Sequence, residues 1–517
     1  MNNQLRTTYD EVRYPSLAHV QTHPDRLATI ATLFGMQPAP VARCRVLELG
    51  SGDGTNLIAM AYGLPESEFT GIDLAGEAVA EARRTIEALA LKNARFHHLD
   101  LMDYSPGAET FDYIIAHGFY SWAPAPVRDR ILEICGRCLA PKGVAYVSYN
   151  TYPGCHIREM VSGMMLYHAR GARDAAEKIA QSRALLKFLA GSKEEPDLYR
   201  MILRDELQAV EERSDGGFYH DDLNPYSEPL YFHQFVEHAG RHGLQYLGDA
   251  MFNEMQPGNY TEAALAALRE LDEDIVAREQ YLDFLMCRRF RRTLLCRSDA
   301  ALDYTVRPGV IIGMLAASNA DPVSPAPDAE SPITEEFKNA KGASIQTNQP
   351  LAKAALLHLS RSWPRAIPFG ELLAAARADG KRDGGEEELR DLLLRGFAAG
   401  AIELHTWAPR LEAEVSERPV ASELARYQNR LRTRVTTLHQ TGIELTDPLS
   451  RDLLELLDGT RDCGALVEAL AALAQSRNTV VNRDGAPATD PEQVRAVIAE
   501  GLPAALRGFA RAGILVG

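Results

Sequence analysis

The sequence is short of several things, and each shortage excludes a class of function. No apolar run among its 517 residues approaches the roughly 18 that a membrane-spanning helix needs. The first fifteen residues, "MNNQLRTTYDEVRYP", have no apolar core of the kind a secretory signal carries, so a cytoplasmic protein without a membrane partner is expected. Positive charge is scarce. With 55 Lys and Arg against 71 Asp and Glu, the formal net charge is -16, which disfavours a sequence-independent grip on nucleic-acid phosphates. Cysteine is sparse too: seven, an odd number, scattered along the chain. Cys135 and Cys138 have CxxC spacing in "LEICGRCLAP", but no second pair completes a zinc site. Buried thiols in a reduced compartment, and no metal, are the expectation.

What is present is an alternation. "CRVLELG", "EFTGIDLA", "ARFHHLDLMDY", "FDYIIAHG" and "GVAYVSYN" read as strands, separated by segments of helical periodicity such as "GEAVAEARRTIEALAL" and "VRDRILEICGRC". That order predicts an α/β fold with a parallel sheet covered by helices on both faces. Helical stretches then run over about 155–212 and 257–287, as two insertions. Between and after them "LQYLGDAMF" and "RRFRRTLLCR" have strand character, so a segment of about 213–300 should return to the sheet and complete it. The basic run from Arg288 to Arg292 reads as a solvated sheet edge. Residues 318–349, rich in Ala, Pro, Ser, Asp and Asn, read as a linker. Beyond it, 350–517 shows the same order twice, helices followed by a short strand, as two small winged-helix-like units.

The chemistry is concentrated in "VLELGSGDGTN", Val46 to Asn56. An apolar strand runs into Gly50, Ser51, Gly52 and Gly54, then opens a helix at Asn56. Glycines suit a turn where backbone must approach a ligand closely. A second strand ends in Asp73-Leu74, where a carboxylate can accept both ribose hydroxyls of an adenosine. A third ends in Asp100-Leu101, an acid for an adenine amino group and an apolar cover for its ring. NAD is the rival ligand, but Glu48 lies two residues before the first glycine and disfavours a pyrophosphate. An acid there suits a sulfonium and an amino group, which points to S-adenosylmethionine (SAM), with S-adenosylhomocysteine as product.

In this order the glycine loop, the acid after strand two, Asp-Leu after strand three and "LAPKG" before strand five resemble class I SAM-dependent methyltransferases with a seven-stranded, Rossmann-like sheet. A narrower resemblance runs nearly end to end. "RYPSLAHVQTHPDRLATIATLFG", "YSWAPAPVRDRIL", "SYNTYPG", "FYHDDLNPYSEPLYFHQFVEHAGRHGLQYL" and "SERPVASELARYQNRLRTRVTTLHQ" are similar to bacterial methyltransferases that carry a methyltransferase regulatory domain. That family includes rickettsial protein-lysine methyltransferases. The resemblance implies N-terminal lid helices over 1–40, with Tyr14 and His23 over the cofactor, and a methyltransferase domain over 41–300. For His23 a helix N-cap in "THPDRL" is the competing reading.

The acceptor side is expected where strands four and five end, at "AHGFYSW" and "SYNTY". His117 and Gly118 should lie below the methyl donor. Tyr120, Trp122 and Tyr149 could form an aromatic cage for a lysine ammonium, or pack between the core and the helical insertion. His117 could serve as a base. "HDD", His220 to Asp222, could bring a carboxylate over the site or start a helix. A protein-lysine methyltransferase, a small-molecule N- or O-methyltransferase, and a SAM-binding regulator without activity are the competing functions.

Overall fold

The computed structural model of the protein describes residues 12, 14–15, 17–105, 107–378, 385–409, 411, 414–483, 486–487 and 490–516. Seven strands form its main sheet: β1 (Arg45–Leu49), β2 (Glu68–Asp73), β3 (Ala94–His98), β4 (Phe111–Ala116), β5 (Leu139–Asn150), β6 (Leu244–Asp249) and β7 (Phe290–Arg297), in the order β3-β2-β1-β4-β5-β7-β6. β1 to β5 are parallel. β7 runs antiparallel to both its neighbours. The period-2 pattern of β5 shows how both faces are covered: Val144 and Tyr146 join one core, Ala145, Val147 and Tyr149 the other. Helices α1 (Pro24–Leu33), α2 (Thr55–Gly63) and α3 (Gly76–Ala88) supply the first core, and α4 (Ala125–Cys138) the second. Cys135 and Cys138 are buried on α4, and burial pushes the Cys135 thiol up to about 12. Strand order reverses between β1 and β4, so the loops after these two strands flank the crevice where open α/β sheets bind ligands.

Helices α5 (Cys155–His168), α6 (Ala175–Ala190) and α7 (Leu198–Glu211) form the first insertion, with a small core of their own built on Val161, Leu186 and Leu203. The segment that follows carries α8 (Asp215–Asp222), α9 (Phe232–Gly240), β6, α10 (Glu262–Arg269), α11 (Ile275–Met286) and β7. It completes the sheet, as expected from its two strand-like stretches. The basic run before β7 departs from expectation. β7 lies inside the sheet rather than at its edge, Arg288 is buried, and Arg291 is 0% exposed. Arg291 is held there because α11 presents Glu279 and Asp283 one turn apart on one face. The Arg291 guanidinium donates to Asp283 at 2.8 and 2.9 Å and to Glu279 at 3.1 Å, and lies 3.9 Å from the centre of the Phe232 ring. Burial costs each charge its hydration; the mutual pairing offsets it.

The stretch expected as a linker is folded. Asp321–Pro322, Glu335–Lys338 and Ser344–Thr347 make a three-stranded antiparallel sheet, and Phe337 is fully buried. The buried ammonium of Lys353 ties its loop by donating to the carbonyls of Asp328, Ser331 and Ile333. The first C-terminal unit, with helices over Pro350–Ser362, Phe369–Arg377 and Glu386–Ala398, shares the methyltransferase core: Leu356, Leu372 and Phe397 belong to the same apolar cluster as Leu27 and Val46. The second, from Glu423–Leu431 to Pro491–Arg511, has a separate core and a hairpin of Arg434–Thr436 with Gly442–Glu444.

Removing Arg291 takes the main partner from two buried carboxylates, leaving Asp283 with Arg288 and Glu279 with Arg278. Arg291→Ala is expected to lower the unfolding free energy by about 3–5 kcal/mol, read from urea denaturation followed by circular dichroism, with Arg291→Met less harmful because its apolar stem still packs on Phe232.

Candidate active site

The site grows out of β1. Glu48 alternates inward on a strand buried on both faces, and the chain then turns through Gly50, Gly52 and Gly54, with φ of 73°, 55° and 74°. Gly50 must lack a side chain, since a Cβ there would lie 2.8 Å from the ring of Phe119 in the loop after β4. Gly52 and Gly118 are the opposite case, with open space where a Cβ would be. The two loops that flank the sheet's reversal point therefore touch at one place and leave a cradle at another.

Polar groups converge on that cradle. Asp73 accepts from the Gly52 N–H at 2.7 Å and the Ala75 N–H at 2.8 Å, which fixes its carboxylate while each oxygen keeps accepting capacity. Leu74 and Met102 are exposed apolar residues at the ends of neighbouring strands, beside Asp100 and the nearly buried Leu101. Asp100 accepts from the Met102 N–H. Glu48 is buried; one oxygen accepts from the Asn56 amide at 2.7 Å, and the other has no partner among the described residues. Burial, reinforced by Asp73 and Asp53, outweighs the Asn56 bond and pushes Glu48 up to about 8. Ser51 Oγ is likewise buried without a partner. Unsatisfied buried polar atoms around a glycine cradle fit a cationic, amino-bearing adenosine cofactor: Glu48 and the glycine-loop backbone could hold its amino-acid part, Asp73 its ribose, and Asp100, Leu101 and Leu74 its base.

At the lip of β4, His117 Nδ1 lies 3.0 Å from both Tyr146 Oη and Ser148 Oγ, and Ser148 Oγ accepts from the Gly118 N–H. The His19 ring packs 4.0 Å from His117, and Phe290 meets it edge-on at 6.3 Å. Burial, then His19 and Arg292, hold His117 well below the ordinary histidine range. Burial, Arg292 and Arg434 lower His19 to about 4. Both imidazoles are neutral at pH 7.

The structure separates the expected acceptor aromatics. Tyr120 and Tyr149 point into the core on the α4 side, where both contact Phe235 and their hydroxyls bond His238 and Thr293. The parity of β5 explains this: Tyr146 and Ser148 face His117, so Tyr149 faces away. The guanidinium of Arg158 from the helical insertion lies over the ring of Trp122. Packing, the competing reading for these aromatics, is what the geometry favours. His23 is the N-cap of α1, accepting from Asp25 N–H, and it stacks on Trp407. Tyr14 is not assigned to a helix, and its hydroxyl lies 3.4 Å from Asp221; most of the N-terminal stretch expected as a lid before it lies outside the described residues. "HDD" ends α8 instead of starting a helix; Asp222 pairs with Arg158 and Arg213.

Asn56 departs most from expectation. Its side chain spends every hydrogen bond within the protein: the amide donates to Glu48 and to Thr22, and the carbonyl accepts from the His19 N–H at 2.8 Å and from Gln440 at 3.2 Å. Gln440 also donates to the Asn56 backbone carbonyl at 2.7 Å. It comes from the hairpin turn of the second C-terminal unit, buried, with a φ of 59°. Arg432 of the same unit donates to Thr55. His19, Gln440, Phe290 and Arg292 escaped the sequence reading. Gln440 stands at positive φ inside a "HQTG" turn, a conformation that no local sequence pattern announces.

Gln440→Ala removes one support from the group that holds Glu48. As Asn56 loosens, SAM affinity is expected to fall about tenfold, or about 1.4 kcal/mol, and the lost buried hydrogen bonds should also lower the melting temperature by a few degrees; calorimetric titration and thermal denaturation check it.

Known proteins place this geometry. Three family descriptions match in chain order: "Methyltransferase domain" over residues 46–143, "Predicted methyltransferase regulatory domain" over 215–297, and "PKMT, C-terminal winged helix domain" over 417–514. An uncharacterized protein of Rickettsia prowazekii is 33% identical over 502 residues, covering 94% of this chain and 90% of that one. A second R. prowazekii protein is 36% identical over 235 residues, 45% of this chain and 94% of its own. The solved structure of PKMT2 from Rickettsia typhi in complex with AdoHcy is 29% identical, covers 98% of this chain and 100% of that one, and superposes with a TM-score of 0.90. With the three descriptions matched in order and a relative 33% identical along nearly its whole length, the chain belongs to the family of SAM-dependent class I methyltransferases that carry a methyltransferase regulatory domain and a PKMT-type C-terminal winged helix.

Proposed function

We propose that this methyltransferase acts on an amine, the side chain of a lysine in a protein acceptor. The observation that carries the reading is the pair of neutral imidazoles, His19 and His117, at the lip of β4. Burial and the nearby Arg292 lower both, with Arg434 adding to the effect on His19, and the same surroundings would disfavour the ammonium form of an entering lysine. A lysine that sheds its proton on entry presents the lone pair that N-methylation requires. The described hydrogen bonds of His117 use Nδ1 alone, so Nε2 remains to accept from an amine N–H and orient it. Phe290, edge-on to His117, adds an apolar wall for the side-chain stem. The full-length likeness to PKMT2, winged helix included, supports a protein acceptor.

Bound SAM supplies an activated methyl group on a sulfonium leaving group. The protein positions and desolvates; Glu48, the glycine loop, Asp73, Asp100 and Leu101 would hold the cofactor.

Incubating the pure protein with methyl-labelled SAM and a bacterial lysate tests the acceptor. Label in polypeptide that hydrolyses to methyllysine is expected, and His117→Ala should cut the rate by about a hundredfold. Label confined to small molecules, or carried on carboxylates or amides, would overturn the lysine assignment.

Glu48 makes a separate prediction. With its carboxyl raised to about 8, it is largely protonated at neutral pH in the free protein, and a cationic ligand must displace that proton. SAM affinity should therefore rise from pH 6 to pH 7.5, by up to about tenfold per unit. Glu48→Gln should abolish that rise and bind weakly throughout.

A further inference from the structure

Away from the cofactor cradle, Asp129, His238 and His242 bring their ligating atoms within 4.8 Å of one another. His238 Nε2 lies 3.0 Å and His242 Nε2 2.8 Å from the same oxygen, Asp129 Oδ1. No sequence pattern marked this group, because the carboxylate stands more than a hundred residues before the histidines. We propose that it is a binding site for a borderline divalent transition metal of the zinc class, with two imidazole nitrogens and one carboxylate oxygen as ligands and water completing the shell.

Three features support this beyond proximity. The donor set is one that zinc accepts; His238 is in the last turn of α9 and His242 in the tight turn just after it, where its N–H donates to the Ala239 carbonyl, and both rings reach the same Asp129 oxygen. In a tetrahedral zinc site with bonds of about 2.0–2.1 Å, ligand atoms lie roughly 3.3 Å apart. The observed separations of 2.8 and 3.0 Å need a shift of only a few tenths of an ångström.

The second feature is the outer contact. His238 Nδ1 lies 2.8 Å from the hydroxyl of fully buried Tyr120. That oxygen can accept the Nδ1 proton, which leaves Nε2 as the nitrogen with a lone pair to offer. Metal-bound histidines are usually oriented in this way. Without metal, a neutral His238 that donates Nε2–H to Asp129 accepts at Nδ1 from the Tyr120 hydroxyl; on binding, the ring takes the other tautomer, so that Nδ1–H donates to Tyr120 and Nε2 offers its lone pair to the ion.

The third is rigidity. Asp129 and Gly136 are two turns apart on one face of α4, and a Cβ at Gly136 would lie 2.1 Å from the carbonyl oxygen of His242. The turn that carries His242 is thus pressed onto α4 by backbone contact, and the ligand positions do not rest on flexible side chains alone. The Asp129 side chain is 59% exposed and the histidines 20% and 15%, so water can reach the fourth position. Asp129 belongs to the methyltransferase domain and the histidines to the regulatory domain, so a bound ion would clamp one to the other.

Titrating the tag-free, chelator-stripped full-length protein with zinc chloride tests the site. One zinc per chain is expected, with at least tenfold weaker binding in His242→Gln and in Asp129→Asn. Asp129→Asn changes an exposed side chain, and unaltered circular dichroism and SAM binding would show that it folds. Cobalt(II) should give visible d–d absorption in the wild type that His242→Gln loses. A wild type that takes up no stoichiometric zinc, or folded variants that bind as tightly as the wild type, would overturn the proposal and leave the group as a hydrogen-bonded triad.

Discussion

The active site depends on one side chain. Asn56 sits at the start of α2, where the glycine loop ends, and its amide joins four parts of the chain: β1 through Glu48, the N-terminal segment through His19 and Thr22, its own helix, and the distant C-terminal unit through Gln440. An asparagine has two donors and two acceptor lone pairs, and all are used here. A buried amide satisfied on every side has one low-energy orientation, because any rotation strands several groups at once. That orientation aims Glu48 at the cradle with one oxygen free. It also pins the backbone of His19, and so the stacking of His19 on His117. Cofactor grip and acceptor lip are thereby coupled through a residue that needs to touch neither ligand.

A second constraint holds the frame. β7 can lie inside the sheet because Arg291 finds carboxylates on α11, eight and twelve residues upstream, and Arg292 finds Glu254. The segment described as regulatory is therefore part of the catalytic sheet. Its outer helix α9 packs against α4 through Phe235 and the Asp129 contacts, while its inner strand offers Phe290 to His117.

Much of this was legible from the sequence. The strands β1 to β5 are strand-like runs ended near Gly, Asp or Asn, and the acids proposed to hold the cofactor follow from their places at strand ends. β6 and β7 were also readable, as strand-like stretches between helices. Local patterns failed where the partner was remote. Arg291 looked solvated because nothing in "CRRFRRT" reveals Glu279 and Asp283. Residues 318–349 looked like a linker because their order comes from single buried groups, Phe337 and the Lys353 ammonium, that leave no periodicity. Tyr120, Trp122 and Tyr149 stand at the right strand ends, but the side on which each projects was decided by strand parity and by Phe235 and Arg158, far along the chain. Gln440 lies 384 residues from Asn56, beyond any local signal.

That separation has a consequence for how the enzyme comes into being. Translation proceeds from the N-terminus, so β1, the glycine loop and Asn56 emerge long before the turn that carries Gln440. During that interval the sheet can assemble while its cofactor cradle lacks a support. The support that Gln440 gives Asn56 can thus be added only late in synthesis, once the winged-helix hairpin has emerged, and a chain arrested before residue 440 would hold the sheet without that support.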